Sequence, residues 1–234
     1  MQKVALITGT GSGIGKALAE LLLSAKYIVF GYSRTNQIKH NNFTFTPIDL
    51  SNLKEVQKIK FPKVEVATDV LLVNNAATIG SILPLDKKAT TDIINEYNLN
   101  LITPTLLSKL FINIYSKNQK ILINIGSGAA TSPIASWSSY CATKSGLDML
   151  TEVIEKEKHK NLKVFSIHPG VVDTNMQQKI RESDAKYFSL LDKFTAYYNN
   201  GELNSTDNVA QKIYRIIAKK VVLADILVKL IDFE

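Results

Sequence analysis

Residues 4–15 read VALITGTGSGIG, an apolar run followed directly by a glycine-rich turn. From residue 16 to residue 24 apolar residues recur at helical spacing, so the stretch predicts a strand, a turn and a helix. Glycines let a backbone approach phosphate closely, and a helix N-terminus offers free N–H groups and a positive dipole end. The turn therefore predicts a dinucleotide phosphate site, with a plain glycine-rich turn as the alternative. The residues expected to contact the cofactor are Gly9, Gly11, Ser12, Gly13, Ile14 and Gly15.

The alternation of strand and helix continues along the chain. Further β-rich runs cover 27–32, 43–48, 69–73, 120–125 and 163–167, and helical patterns cover 52–60, 90–116 and 136–159. This alternation predicts an α/β fold, a Rossmann-type doubly wound parallel sheet with helices on both faces, formed by a single domain over residues 1–234. Such sheets bind ligands at the carboxyl ends of their strands. The least regular segment, 175–205, is a candidate substrate lid.

The composition is that of a folded globular protein, with 234 residues of which 45% are apolar and 21% charged. Charges interrupt the apolar tail 221–231, so no membrane span is predicted. The net charge of +7 suits a phosphate-bearing cofactor, and no nucleic-acid partner is predicted because the lysines lack interleaved aromatic residues. The single cysteine, Cys141, excludes an intrachain disulfide and favours the cytoplasm. His40, His159 and His168 lack metal-ligand spacing, so no metal is predicted.

The end of the second strand bears on the choice of nicotinamide cofactor. An acidic residue about 20 residues beyond the glycine turn accepts the ribose 2′-hydroxyl of NAD. The chain instead has Gly31-Tyr32-Ser33-Arg34 there, without a carboxylate. Because a guanidinium can fork onto a 2′-phosphate, Arg34, helped by Ser33, predicts NADP(H) rather than NAD. A plain surface arginine is the alternative.

Two polar side chains lie one turn apart near the start of the helix predicted over 136–159. Tyr140 and Lys144 share one helix face, and Ser127 follows the preceding strand. A nearby ammonium should lower the pKa of a phenol, which suits general acid or base catalysis near neutral pH. Tyr-x-x-x-Lys alone arises by chance on many helices. Combined with Ser127 and a nucleotide turn, it predicts a catalytic site.

In order and spacing, these motifs resemble the short-chain dehydrogenase/reductase family over essentially the whole chain. The resemblance implies that Ser127, Tyr140, Lys144 and Asn100 are catalytic. It also implies that Asp49 contacts adenine and that Thr174 contacts the nicotinamide carboxamide. The other cofactor contacts that it implies are Leu50, Asn75, Ala76, Tyr140, Lys144, Pro169, Gly170 and Val172. Ala77 replaces the last glycine of the family's Asn-Asn-Ala-Gly, which should perturb the local backbone rather than the chemistry.

A narrower resemblance lies in residues 168–178, HPGVVDTNMQQ, and in Tyr140-Cys141-Ala142. Both look like the bacterial benzil reductases and the related sepiapterin reductases. The ending Ile231-Asp232-Phe233 also resembles the Val-Asp-Phe of sepiapterin reductases, whose aspartate anchors the pterin. Asp232 is therefore a candidate substrate ligand, with a plain surface carboxylate as the alternative.

This resemblance implies NADPH-dependent reduction of a ketone, either in a vicinal dicarbonyl compound or in a pterin side chain. A reductase of 3-oxoacyl carriers or steroids would use the same core residues and is one alternative. A regulatory protein that senses NADP without turnover is the other, because a fold does not guarantee activity. The helices predicted over 90–116 and 136–159 resemble the family's dimer-forming helices, which implies a homo-oligomer.

Overall fold

The structure is a computed structural model that describes residues 2–65, 68–219, 223 and 225–232. In that part of the chain, seven strands form one parallel sheet in the order β3-β2-β1-β4-β5-β6-β7. The strands are β1 (Lys3–Thr8), β2 (Ile28–Ser33), β3 (Phe43–Pro47), β4 (Asp69–Asn74), β5 (Gln119–Ile125), β6 (Leu162–His168) and β7 (Leu227–Lys229). The central strands β1, β4 and β5 are nearly all buried and have apolar residues in their middle, as expected for strands that are covered on both faces.

Helices cover both faces of the sheet. They are α1 (Gly13–Ser24), α2 (Leu53–Val56), α3 (Thr90–Tyr97), α4 (Thr103–Ile114), α5 (Ser138–Lys156), α6 (Asn175–Arg181), α7 (Leu191–Asn199) and α8 (Thr206–Ile217). One core packs α1 and α8 against the sheet, and a second packs the apolar faces of α2, α4 and α5 against the other side. The predicted α/β doubly wound sheet is therefore confirmed. Among the described residues, no helix is long and apolar enough to cross a membrane.

Three predicted segments differ from the structure. The helix predicted over 52–60 is the single turn α2, because tighter turns follow it and Phe61 precedes a proline, which disfavours helical backbone. The helix predicted over 90–116 is divided into α3 and α4 by a π-helical turn, Asn98–Ile102. The segment 175–205, interpreted as irregular, contains the two helices α6 and α7.

The C-terminal part of the fold has two elements that the sequence analysis did not predict. Helix α8 buries an apolar stripe at helical spacing, Val209, Ala210, Ile213, Ile216 and Ile217, against α1 and the sheet. Strand β7 is only three residues long and pairs with the end of β6. Within the tail 221–231, Val221, Val222 and Ala224 lie outside the described residues.

Because all the strand pairs are parallel, the loops that follow the strands meet at the carboxyl edge of the sheet. The loops after β1 to β6 and the helix starts that follow them carry most of the residues that the sequence analysis selected. The order of strands reverses between β1 and β4, and ligands of open α/β sheets bind at such a point.

Candidate active site

The glycine-rich turn after β1 is held tightly against the neighbouring strand end. Gly9 has a φ of +75° and Gly13 a φ of +58°, a left-handed conformation that favours glycine. A Cβ added at Gly15 would lie 2.4 Å from both the Asn75 Nδ2 and the Gly9 carbonyl oxygen. Glycine is therefore required at these positions by backbone conformation and by close approach.

The start of α1 is suited to an anion. Ser12 precedes the helix in extended conformation, and its side chain accepts no hydrogen bond from the first turn within the described structure. The first N–H groups of this 12-residue helix thus have no side-chain cap, and no acidic residue lies in its first turn. Free N–H groups at the positive end of the helix dipole bind phosphate. The residues present fit the diphosphate of a dinucleotide.

Arg34 and Ser33 occupy different environments at the end of β2. The Arg34 side chain is exposed just beyond the strand. The Ser33 hydroxyl is buried, donates to the Thr35 carbonyl at 2.8 Å and lies 3.2 Å from Thr10 Oγ1. Ser33 therefore shapes the turn beneath Arg34, and the exposed guanidinium is the group available to a ligand.

Asp49 and Leu50 follow β3 at the same edge. Hydrogen bonds from the Ser51 backbone and hydroxyl hold the pKa of Asp49 below its usual range, and the charge of Arg34 adds to this effect. Leu50 is buried, and its carbonyl accepts a hydrogen bond from Thr103 on α4 at 2.7 Å. Asp49 is thus an exposed, ionised acceptor on a fixed backbone.

Thr8 and Asn75 tie the ends of β1 and β4 together. The Thr8 hydroxyl accepts from the backbone N–H groups of Asn75 and Ala76 at 2.9 and 3.0 Å. The Asn75 side-chain amide donates to the Thr8 and Gly9 carbonyls at 2.9 and 3.3 Å. This network fixes the glycine turn, and Ala77 is accommodated directly after it in a half-buried position.

The structure brings Ser127, Tyr140 and Lys144 together. Ser127 ends the β5 loop, and its side chain hydrogen-bonds that of Tyr140, which lies in the first turn of α5. The Lys144 Nζ lies 5.7 Å from the centre of the Tyr140 ring and donates to the Ile125 carbonyl at 2.6 Å. Tyr140 and Lys144 are buried, whereas Ser127 is half-buried. The hydroxyl, phenol and ammonium thus form one contiguous polar site.

The expected lowering of the Tyr140 pKa is wrong. Burial raises the pKa of Tyr140 above its usual value, and the hydrogen bond with Ser127 opposes this rise only in part. Burial also lowers the pKa of Lys144 to about 8, although the charge of Asp148 opposes that shift. Desolvation, which the sequence does not reveal, outweighs the attraction between neighbouring groups.

Asn100 lies in the π-helical turn that joins α3 to α4. Its side-chain oxygen accepts from the Thr78 backbone at 2.9 Å, and its amide donates to the Thr78 carbonyl at 2.8 Å and to Thr143 Oγ1 at 3.3 Å. The side chain of Asn100 therefore fixes the loop after β4 against α5. A π-helical turn often occurs at a functional site, because it redirects backbone groups within a helix.

An apolar, aromatic cluster surrounds the phenol of Tyr140. The Trp137 ring meets the Tyr140 ring edge-on at 5.6 Å and stacks on Phe188 at 5.5 Å with an interplanar angle of 12°. Phe188 belongs to the segment 175–205, whose backbone is also tied to the Ser136 hydroxyl through the Tyr187 carbonyl. The remaining buried members of the cluster are Ile79, Ile82, Ala129 and Ile180. The segment 175–205 thus packs against the same aromatic cluster as Tyr140.

The loop after β6 approaches the glycine turn. Pro169 and Val172 are buried, and Gly170 has a φ of +79°. The Thr174 side chain caps α6. Its methyl group lies next to Gly13, where a Cβ built on the glycine would be 3.4 Å away. Thr174 therefore lies between the start of α1 and the segment 175–205.

Asp232 ends a short 3-10 turn after β7 and is exposed. Lys229 of β7 pairs with His168 of β6, so Asp232 lies towards the carboxyl edge of the sheet. Phe233, the last residue of the motif, lies outside the described residues. Across the described chain, no group of three or more His, Cys, Asp or Glu residues could hold a metal ion.

Sequence reasoning missed several residues that build this site. Thr8 and Asp148 act through buried hydrogen bonds between distant elements, and no local pattern reveals such bonds. Trp137 could have been noticed, because it lies three residues before Tyr140 and thus on the same helix face. Phe188 could not, since its position depends on how the segment 175–205 folds over α5.

The fold and site together define a dinucleotide-binding α/β oxidoreductase with a Ser–Tyr–Lys centre. A family model described as short chain dehydrogenase matches residues 3–185. The benzil reductase ((S)-benzoin forming) of Bacillus cereus is 34% identical over 91% of this chain and 92% of its own length. The sepiapterin reductase of Rattus norvegicus is 31% identical over 92% and 91%, respectively.

The fold is also similar to a solved short-chain dehydrogenase/reductase from Saccharomyces cerevisiae, with a TM-score of 0.85, 19% identity, and coverage of 99% of this chain and 97% of the other. This chain belongs to the short-chain dehydrogenase family. It is an oxidoreductase that acts on CH–OH or C=O groups, and its family uses nicotinamide cofactors.

Proposed function

We propose that the protein is an NADPH-dependent carbonyl reductase of aromatic or heteroaromatic ketones, with one carbonyl of a vicinal dicarbonyl compound or of a pterin side chain as the acceptor. The observation that carries this proposal is the aromatic environment of Tyr140. Trp137 meets the Tyr140 ring edge-on and in turn contacts Phe188 and Phe194, so an aromatic, apolar environment lies beside the phenol and suits an aromatic substrate ring. The similarity to benzil and sepiapterin reductases supports the same substrate class.

Each residue of the site has a separate role in the reduction. A bound nicotinamide nucleotide supplies the hydride. Tyr140 donates its phenolic proton to the carbonyl oxygen, and Ser127 hydrogen-bonds the negative charge that develops there. The ammonium of Lys144 stabilises the resulting phenolate. Because the Asn100 side chain is committed to Thr78 and Thr143, any water that relays a proton to Lys144 would meet the backbone of Asn100 rather than its amide.

We propose NADP(H) as the cofactor because Arg34 is the exposed cation at the end of β2. The glycine turn and the uncapped start of α1 would hold the diphosphate, Asp49 and Leu50 would lie at the adenine, and Thr174 would meet the carboxamide. Arg34 would fork onto the 2′-phosphate. No carboxylate stands at residues 31–34 to accept the ribose hydroxyl of NAD.

Replacing Arg34 with aspartate tests this choice. We expect Arg34→Asp to raise the KM for NADPH by at least about tenfold, since a charge-assisted hydrogen bond contributes about 1.5–3 kcal/mol. The KM for NADH should fall, because the carboxylate can accept its ribose hydroxyl. Steady-state kinetics with both cofactors measures the ratio. Lys160→Asp makes the same charge change just before β6, at the opposite edge of the sheet, and should leave it unaltered; an equal change in both variants contradicts the assignment.

The substrate class is tested by following NADPH oxidation with benzil, sepiapterin, a simple aromatic ketone and a 3-oxoacyl ester in parallel. Turnover confined to benzil and sepiapterin supports the proposal. Turnover of the 3-oxoacyl ester alone keeps the catalytic residues but changes the substrate class. An intact protein that binds NADPH and turns over none of these compounds favours a nucleotide-sensing role.

We further propose a homo-oligomer in the cytoplasm. Exposed apolar side chains lie on α4 at Ile114, just before it at Ile102, and on α5 at Met149 and Val153, so a second copy could cover them. Light scattering of the wild-type protein and of Met149→Lys measures the change in oligomeric mass.

The single cysteine, Cys141, is half-buried and free, which suits a reducing compartment. Asp232 remains a candidate substrate ligand; Asp232→Asn should raise the KM for sepiapterin but not for benzil if it serves as one.

A further inference from the structure

A second polar cluster lies buried next to the catalytic residues of α5. Asp148 accepts a hydrogen bond from Ser166 at 2.5 Å through Oδ1, and its Oδ2 lies 2.8 Å from Nε2 of His168. Asp148 is 5% exposed, Ser166 0% and His168 5%. Burying a carboxylate this deeply costs free energy of folding unless hydrogen bonds and an opposite charge compensate it.

The sheet register places this cluster beside the Lys144 ammonium. Lys144 and Asp148 are one turn apart on the same face of α5. Lys144 donates to the carbonyl of Ile125 on β5, and Ile125 pairs with Ile167 on β6. The two partners of Asp148, Ser166 and His168, flank Ile167. The Lys144 ammonium therefore contacts β5, and the Asp148 carboxylate contacts β6, at paired positions of the sheet.

Gly126 gives the cluster its space. A Cβ at Gly126 would lie 2.5 Å from Cδ2 of His168 and 2.6 Å from Oγ of Ser166. Gly126 also donates its backbone N–H to the Ile167 carbonyl at 2.8 Å. It follows Ile125, the acceptor of Lys144, and precedes Ser127. The cluster thus packs against the backbone that connects two members of the catalytic set.

The two nitrogens of the His168 ring have different surroundings. Nε2 of His168 donates to Asp148, and Nδ1 has no hydrogen-bond partner within the described residues. A neutral imidazole leaves only a bare acceptor at Nδ1, whereas a protonated one would bury an unpaired N–H. Along α5 the cation nearest to the Asp148 carboxylate is Lys144, four residues before it.

Other charged groups around Lys144 do not take this role. On α5 itself the neighbouring titratable groups are Tyr140, Cys141 and Asp148, and β6 contributes His168. Helix α3 also packs on α5 and contributes Glu96. The Glu96 carboxylate already forms a buried ion pair with Lys88, at 2.8 Å. Asp148 is thus the group placed to act on the ammonium.

We propose that Asp148, held by Ser166 and His168, is a positioning residue that keeps Lys144 charged and directed at the catalytic tyrosine. It touches neither the substrate nor the cofactor and acts through Lys144. The proposal rests on the catalytic role given above to Tyr140 and Lys144. The direction of the pKa shifts agrees with it, because burial lowers the pKa of Lys144 to about 8 and the charge of Asp148 opposes that loss.

The pH profile of kcat/KM tests the proposal. Burial raises the pKa of Tyr140 but lowers that of Lys144, so on the basic side Lys144 loses its proton first. Asp148→Asn removes the charge that favours the ammonium, and we expect the basic midpoint to fall by about one pH unit or more. A lower rate at every pH with an unchanged midpoint would show a merely structural role and overturn the proposal.

Two control variants separate charge from packing. His168→Gln keeps an amide donor for Asp148, and Ser166→Ala removes one hydrogen bond while retaining the carboxylate. Both should leave the basic midpoint near the wild-type value even where they lower stability. If Asp148→Asn does not fold, Asp148→Ser offers a smaller neutral group, and the same fall in midpoint is expected.

A measurement without turnover distinguishes failure of this proposal from failure of the proposed function. Asp148→Asn is made in the wild-type chain and in the Lys144→Met chain, and the denaturant midpoint of each is measured at pH 7. We expect Asp148→Asn to lower the midpoint more when Lys144 is present, because only then is the attraction between the two opposite charges lost. Equal losses in both chains overturn the proposal, even if the enzyme reduces ketones.

Discussion

Tyr140→Phe is expected to lower kcat by about 10²- to 10⁴-fold, the range that a positioned general acid contributes. The substitution removes only the hydroxyl that hydrogen-bonds Ser127. The phenyl ring keeps its edge-on contact with Trp137, at 5.6 Å between ring centres, and its place in the apolar cluster. Steady-state kinetics with NADPH and benzil measures the loss.

The loss should come without a loss of structure. We expect Tyr140→Phe to retain the thermal midpoint and to bind NADPH, which quenching of protein fluorescence detects. Tyr198→Phe, on the exposed face of α7, is the matched control and should keep full activity. Full turnover by Tyr140→Phe would contradict the role of Tyr140 as the proton donor and would move the search to another acid in the site.

The fold could be predicted from the sequence because its signals are local. The strand, glycine turn and helix at residues 4–24 fix the first β–α unit, and apolar runs such as 69–73 mark buried parallel strands. One error, by contrast, has a cause that is distant in the sequence. Asn100 redirects the helix predicted over 90–116, since its side chain bonds the backbone of Thr78, which is 22 residues away. No helical periodicity predicts such a bond.

The sequence predicts which residues meet in the candidate site, but it does not predict their pKa values. Ser127, Tyr140 and Lys144 lie at strand and helix ends that meet in any parallel sheet of this order. The pKa values of Tyr140 and Lys144 depend instead on burial, which packing between α5, the sheet and the segment 175–205 determines. The aromatic contact of Phe188 with Trp137 likewise depends on tertiary structure, and it is the feature that bears on substrate class.

Ser127→Ala should lower kcat by about 10²- to 10³-fold, as loss of one hydrogen-bond donor to a developing oxyanion does. The backbone should tolerate alanine, because the hydrogen bond that the Ser127 side chain accepts within the described structure is a long one, 3.2 Å from Ala129 in the 3-10 turn Gly128–Ala130. The hydrogen bond from Ser127 also lowers the pKa of Tyr140, so its loss should raise that pKa further. Ser132→Ala, exposed in the same loop, is the control for general effects on the turn.

The double variant Ser127→Ala/Tyr140→Phe decides whether the two hydroxyls act on one oxygen. If both bind the carbonyl oxygen of the substrate, removing Tyr140 already abolishes the proton transfer that Ser127 assists, and the combined loss in kcat should be close to that of Tyr140→Phe alone. If the losses in kcat multiply, the two residues contribute independently to the transition state, and Ser127 does not act through the proton transfer from Tyr140. The kcat values of the four proteins, measured with one ketone under saturating NADPH, separate these outcomes.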